Sequence, residues 1–416
     1  MKTVFVPDSS QRIPAHFWAP PEVLEETARH QAMRLTELEF AVHAAFMPDA
    51  HTGYGFPIGT VFASRDVVVP YGVGNDIGCG MIAGRTGLST TDVPPERLRA
   101  ALDALLVAVP SGESRGLGTH REEQPLPAAG AVAALAEGAA AAAAHAGTGV
   151  ASALAQPLES VRRAVVTARR QIGTLGSGNH FLEYQADEED RVWVMIHSGS
   201  RGLGGSICAF YDQLAALLTA RWYASAGRKK NDVAFLPVDS FAGQAYLVAM
   251  EVCLDFAREN RRRMLDAAVQ ALGTAVDGEA VNVHHNLASL ERHFGQEVWV
   301  HRKGATRARA GERVVIPGSM ETGSYVCEGL GEPRALESSS HGAGRRMSRT
   351  AARKARSHRE VRDALAAAGI LIASPNLGAI NDEGGHGYKD IHEVMSLQAD
   401  LVRPVHRLRP LGVLKG

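Results

Sequence analysis

Residues 191–202, RVWVMIHSGSRG, decide how the rest of the chain is read. Val192, Val194 and Ile196 alternate with Arg191, Trp193 and Met195 at the period of two that a half-buried strand requires. At His197 the alternation stops and Gly199 and Gly202 enter, so the segment predicts a strand that delivers a histidine into a polar loop. The same design recurs elsewhere. Residues 281–283 run into His284-His285-Asn286, residues 297–300 into His301-Arg302-Lys303-Gly304, and residues 313–316 into Pro317-Gly-Ser319-Met. Such loops occur from about position 49 to position 388, and cutting the chain into modules would scatter them. Residues 1–416 are therefore read as one large integrated α+β domain, although this length would accommodate two or three.

Composition bounds the function. Apolar residues make up 45% of the chain, enough for a sizeable core, while 44 Lys and Arg against 45 Asp and Glu leave a net charge of −1. No global field attracts a polyanion, so any such site must be local. There is no signal-peptide pattern and no expected stretch of ~20 apolar residues, which predicts a cytoplasmic protein with no membrane partner. Cys79, Cys208, Cys253 and Cys327 form no CxxC pair and suggest neither a disulfide framework nor a zinc ribbon. Residues 128–155, dominated by alanine and glycine, predict a peripheral helix with side chains too small to build a core. Residues 110–120 read as an exposed loop, and residues 245–272 as an amphipathic helix with Cys253 on its core face.

The chemistry is concentrated in a few loops. In Tyr71-Gly-Val-Gly-Asn-Asp76-Ile-Gly-Cys79-Gly, four glycines in ten residues clear space around a carboxylate and a thiol. It reads either as a cation-wrapping loop or as a glycine turn with an incidental cysteine. His180, His197 and the pair His284-His285 add imidazoles. Asp, Cys and three His together suit Mn²⁺, Fe²⁺, Co²⁺ or Zn²⁺, exceed what one structural zinc needs, and point to two cations sharing a thiolate. In Ser338-Ser-Ser-His341-Gly342-Ala343-Gly344-Arg345, small residues open both backbone and imidazole to a phosphate, with His341 either a nucleophile toward phosphorus or an anion ligand. No Walker A run exists. Residues 345–359 hold seven Lys or Arg and no acid, with Arg345, Arg349, Arg353 and Arg356 at helical spacing. That is either a solvated helix or, joined by Arg302 and Lys303, a track for a nucleic-acid backbone.

Taken together, the motifs MPDAHTGYGFPIG (47–59), GVGNDIGCGM (72–81), GTLGSGNHFLE (173–183), HSGSRG (197–202), HHN (284–286), RKGA (302–305), IPGSM (316–320), SSHGAGRRMSR (339–349), YKDI (388–391) and terminal Lys415-Gly416 resemble the RtcB-type RNA ligases. The resemblance spans nearly the whole chain and implies the RtcB-like fold, with central β-sheets flanked by helices. It implies that Cys79 bridges two manganese ions, with Asp76 and His180 on one and His197 and His285 on the other. It makes His341 the acceptor of GMP from GTP, places Asn179, Glu183, Ser319, Gly342, Ala343, Gly344, Tyr388 and Lys415 around the nucleotide, and places Asp49, Arg201, Arg345 and Arg349 at RNA or phosphate. The implied reaction joins RNA 3′-phosphate or 2′,3′-cyclic phosphate ends to 5′-hydroxyl ends, in tRNA splicing or RNA repair, with an activating accessory protein as a further partner. A dinuclear metal phosphodiesterase or phosphatase, and a non-catalytic RNA-end-binding paralogue, are the alternatives. Ala50, Thr52 and Glu321 depart from the forms associated with the best-known members and bear on RNA preference rather than on the ligands or nucleophile.

Overall fold

The computed structural model describes residues 1–6, 10–112, 119–222 and 233–416, and for 378 and 379 the backbone only. The middle of the expected loop at 110–120, residues 113–118, lies outside the described residues. The larger sheet has eight strands. Along its path they run Val281–His284, Gly80–Ser89, Arg191–Ser198, Phe181–Ala186, Val402–Lys415, Ser324–Gly329 and Arg313–Pro317, with Leu371–Ala373 parallel to the C-terminal strand. The smaller sheet has six, ordered Lys2–Val4, Ala15–Phe17, Ala41–His51, Ile58–Ser64, Gln296–Lys303 and Asn286–His293. Both sheets mix strands from distant parts of the sequence: the last strand, Val402–Lys415, pairs with Phe181–Ala186 and Ser324–Gly329. The chain is thus a single α+β domain.

The chain passes from the larger sheet to the smaller at one residue, and the two sheets also share an apolar cluster that includes Val61, Val300, Val314 and Ile316. His284 ends a strand of the larger sheet against Gly80, and Asn286 begins a strand of the smaller sheet against Lys303, leaving His285 alone between them. Its backbone N–H donates to Cys79 O (2.8 Å), so the junction also fixes the Asp76–Cys79 loop.

Four helices, Ala129–His145, Ala155–Gln171, Arg201–Trp222 and Phe241–Ala271, form a layer whose interior is a large apolar cluster. Phe241–Ala271 starts where Ser240 Oγ accepts from Gly243 N (3.0 Å). Its inner face, Cys253, Ala257, Asn260, Arg261, Met264 and Ala268, repeats at three- and four-residue intervals and is buried. Each large apolar side chain such as Met264 contributes roughly 1.5–3 kcal/mol. Two expectations are corrected here. The alanine-rich helix does join a core, because Val132, Leu135, Ala139, Ala142 and Ala143 are buried and small side chains let neighbouring helices pack closely. An apolar stretch of ~20 residues does exist: Arg201–Trp222 is long and apolar enough to cross a membrane by length and composition, but buries Leu203, Ile207, Phe210 and Leu214 inside the helical layer.

Candidate metal centre and adjoining cavity

Strand ends and glycine loops bring Asp76, Cys79, His180, His197 and His285 to one point. Cys79 Sγ lies 3.2 Å from His197 Nε2 and 3.5 Å from His180 Nε2. Asp76 Oδ2 is 3.1 Å from His180 Nε2, and His197 Nε2 is 3.2 Å from His285 Nε2. The donors fall into two groups that share the thiol: Asp76, Cys79 and His180, and Cys79, His197 and His285. His180 and His197 each direct Nδ1 at a backbone carbonyl, of Leu175 and of Asn179 respectively, both at 3.0 Å. That leaves Nε2 as the ligand atom of each ring. Lone pairs converging this closely on one sulfur are stable with cations between them, so the residues fit a two-metal site. His284 stands apart, its Nδ1 at Gly78 O (2.9 Å) and Arg261 Nη2 (3.2 Å).

Burial pushes His197 and His285 well below the usual imidazole range, leaving both neutral and ready to ligate. Burial also drives the Cys79 thiol well up, and the Asp76 charge adds to it. For Asp76 burial works upward but is outweighed by the His180 hydrogen bond and charge and by Arg201, so its carboxyl sits below the ordinary range. Cation binding must therefore expel the Cys79 proton.

The sequence reading missed the scaffold beneath these loops. Fully buried Asn260 accepts at Oδ1 from Gly173 N (2.7 Å) and Thr174 N (3.0 Å), and its Nδ2 donates to Thr174 O and Gly199 O (both 3.1 Å). Fully buried Arg261 donates to Gly78 O (2.8 Å), Ser198 O (2.9 Å) and Asn282 Oδ1 (2.9 Å). One helix thus anchors the loops that carry Cys79, His180 and His197. Asn286 does the same for the smaller sheet, its Nδ2 donating to Asp76 O (3.0 Å) and its Oδ1 accepting from Gly304 N (2.9 Å).

A cavity of about 590 Å³ opens beside the cluster. Its wall includes all five candidate ligands, the nine residues expected around a nucleotide (Asn179, Glu183, Ser319, His341, Gly342, Ala343, Gly344, Tyr388 and Lys415), and Arg345 and Arg349. His341 is T-shaped against His285, ring centroids 4.9 Å apart. Its Nδ1 lies 2.6 Å from Asp49 Oδ2, which also accepts from His341 N (3.2 Å). Gly344, at φ +71°, permits this closeness, since an added carbon there would lie 2.3 Å from Asp49 O.

Three positions differ from expectation. Asp49, placed at RNA or phosphate, is fully buried behind His341 and absent from the cavity wall. Its strand, Ala41–His51, runs beneath the His341 loop and turns the carboxylate onto the imidazole. Arg201 also lies off the wall, with Nε donating to Thr174 Oγ1 (3.1 Å), and acts on the charge of Asp76. Arg302, assigned to a basic surface, is fully buried because Gln296–Lys303 continues as a strand paired on both sides; it donates to Glu291 Oε1 (2.5 Å) and Oε2 (3.1 Å). Lys303 remains on the wall, donates to Tyr54 O, and is pulled down to about 8 by burial.

Glu383 is a further residue the sequence did not mark. Only 4% of its side chain is exposed, yet it meets Arg345 (3.3 Å), Arg349 (3.4 Å) and Lys415 (3.7 Å) and accepts from Tyr388 OH. Burial pushes its carboxyl upward, but Lys415, Arg349, the tyrosine and Arg345 hold it below the usual range. Opposite it, burial raises Glu183 to about 7, against the pull of Gln185 and Lys415.

A Cys/His/Asp cluster at the strand ends, beside a cation-rimmed cavity, makes this a candidate metal centre. The family model for tRNA-splicing ligase RtcB matches residues 31–416, and this chain belongs to that family. It is 36% identical to the RNA-splicing ligase RtcB of Escherichia coli (strain K12), over 98% of each chain. It is 38% identical to that of Mycobacterium tuberculosis, over 93% of this chain and 100% of the relative, and 34% identical to the tRNA-splicing ligase RtcB of Archaeoglobus fulgidus, over 97% and 95%.

Proposed function

We propose that this chain is a GTP- and Mn²⁺-dependent RNA ligase that joins RNA 3′-phosphate or 2′,3′-cyclic phosphate ends to 5′-hydroxyl ends through a GMP–His341 intermediate. One observation carries the reading: His341 commits Nδ1 to buried Asp49, which leaves Nε2 as its reactive nitrogen on the wall of a cavity shared with the Cys79 cluster. A hydrogen-bonded carboxylate fixes the tautomer and steadies positive charge as the ring becomes a nucleophile. His341 Nε2 attacks the α-phosphorus of GTP, a P–N bond forms, and the P–O bond to pyrophosphate breaks. An RNA 3′-phosphate oxygen then takes GMP from the histidine, and a 5′-hydroxyl attacks the activated phosphate and expels GMP.

Two divalent cations held by Asp76, Cys79, His180, His197 and His285 would supply Lewis-acid stabilisation of charge on phosphorus and the leaving oxygen. The remaining work belongs to the cavity wall. Arg345 and Arg349 face the phosphates, while Asn179, Glu183, Ser319, Gly342, Ala343, Gly344, Tyr388 and Lys415 surround the nucleotide. A dinuclear phosphodiesterase would use the cluster, and could use the Asp49–His341 pair as a general acid or base, but it would need no GTP. The reading is tested by incubating the protein with GTP, Mn²⁺ and two RNAs, one ending in 3′-phosphate and one beginning with 5′-hydroxyl. Joined product that depends on GTP is expected; cleavage or dephosphorylation without joining would overturn it.

A further inference from the structure

Three arginines lead out of the cavity in order of exposure. The side chains of Arg345, Arg349 and Arg353 are 15%, 44% and 58% exposed, and the first two lie on the cavity wall. They do not stand on one continuous helix. Helix Arg349–Ala355 starts at Ser348, whose Oγ accepts from Ala351 N (3.2 Å), and a second helix starts afresh at the Ser357–Glu360 capping box. What aligns the arginines is the segment Asn381-Asp382-Glu383. Glu383 holds Arg345 and Arg349, Asp382 O accepts from Arg345 Nη2 (2.7 Å), and Asp382 Oδ2 accepts from Arg353 Nη2 (2.8 Å). Asn381 Nδ2 donates to the carbonyls of Arg353 and Arg356 at the helix end, both at 3.1 Å. Arg349 is also wedged against Gly178, where an added carbon would lie 2.7 Å from its guanidinium. Asp382 and Glu383 are themselves almost wholly buried, 6% and 4% exposed.

Two carboxylates beside a polyanion site reduce its positive charge, which is unfavourable unless they do something else. Long arginine side chains lose rotamer freedom when they grip a phosphate, and a buried acid that already holds the guanidinium reduces that loss. We infer that Asp382 and Glu383 are positioning residues that preset Arg345, Arg349 and Arg353 as a row of phosphate contacts, along which the RNA backbone leaves the cavity. The inference rests on the RNA-ligase reading and adds to it the path of the strand and the residues that set it.

The sign of one substitution tests it. Asp382→Asn removes a negative charge, so bulk electrostatics alone would tighten RNA binding; loss of positioning weakens it. Binding of a labelled single-stranded RNA ending in 3′-phosphate is measured by anisotropy across a salt series with the full chain. Weaker binding is expected for Asp382→Asn, with the slope of log K against log salt reduced by about 0.7, one single-strand phosphate contact. Arg353→Gln should lose the same amount, and the double variant no more than Arg353→Gln alone. Asp382→Asn binding as tightly as wild type or tighter, or Arg353→Gln keeping the wild-type slope, would overturn the inference and leave the ligase reading standing. A wild-type chain that binds no RNA would overturn both. Arg353 is surface-exposed, so its variant folds and keeps the test decisive.

Discussion

Asp49 and His341 are separated by 292 positions, yet Asp49 Oδ2 sits 2.6 Å from His341 Nδ1 and accepts the backbone N–H of the same residue. The carboxylate therefore sets both the ring's tautomer and its orientation. Asp49→Asn keeps the volume, but the amide can donate to Nδ1 and favour the tautomer with the proton on Nε2. Self-guanylation should fall by a factor on the order of 10⁴, the scale seen when a triad carboxylate becomes an amide. Metal stoichiometry should not change. Guanylation within tenfold of wild type would show that the pair is structural only.

Cys79 belongs to both donor groups, whereas Asp76 belongs to one. Calorimetric titration with Mn²⁺ should show two equivalents in wild type, both weakened by Cys79→Ser, and one largely spared by Asp76→Ala. Two independent sites, each losing a single equivalent whichever residue is changed, would remove Cys79 from the bridge.

Arg261 reaches the carbonyls of Gly78 and Ser198 from the buried face of its helix. Arg261→Met leaves those carbonyls without their donor, at roughly 1–3 kcal/mol for each buried group left unpaired. A loss of about 2–5 kcal/mol in denaturant-monitored stability is expected, together with weaker Mn²⁺ binding. Wild-type values for both would mean that the loops hold their shape unaided.

Glu291, His293 and Glu337 also cluster, but Glu291 is already committed to Arg302, Ser289 and His293 and has no place for a cation. Burial raises its carboxyl, yet His293 and Arg302 outweigh that and hold it far below its ordinary value of 4.5. A depressed acid stabilises the fold above its unfolded pKa, and that contribution disappears as pH falls below about 4.5. Glu291→Gln should flatten this acid limb and cost about 3–5 kcal/mol at pH 7, because fully buried Arg302 loses its counter-charge. An unchanged acid limb would assign it to other carboxylates.

The candidate ligands could be picked out because their carriers are local: a strand with period two ends at His197, and glycines isolate Asp76 and Cys79 from bulky neighbours. The helix was legible by its periodicity over 245–272, close to the observed Phe241–Ala271, and the polar residues Asn260 and Arg261 at core-face spacing were the overlooked signal. Arg302 was misread because the alternation at 297–300 gave no hint that pairing to Ile58–Ser64 and Asn286–His293 would extend the strand to Lys303. Glu383 was invisible for a different reason. It ends a short 3-10 helix, Leu377–Glu383, just before Gly384-Gly385, and its partners Arg345, Arg349 and Lys415 lie far off in sequence, so only the folded chain shows that they converge.

The central claim is that His341 Nε2 carries GMP. Wild-type protein incubated with labelled GTP and Mn²⁺, then run on a denaturing gel, should acquire a label that is lost in acid and kept in alkali, as a phosphoramidate behaves. His341→Ala should take up no label and still bind two Mn²⁺, because the proposal gives the imidazole the role of nucleophile and assigns the metals to other residues. An unlabelled wild-type protein, or a His341→Ala protein that is labelled as well as wild type, would contradict the account.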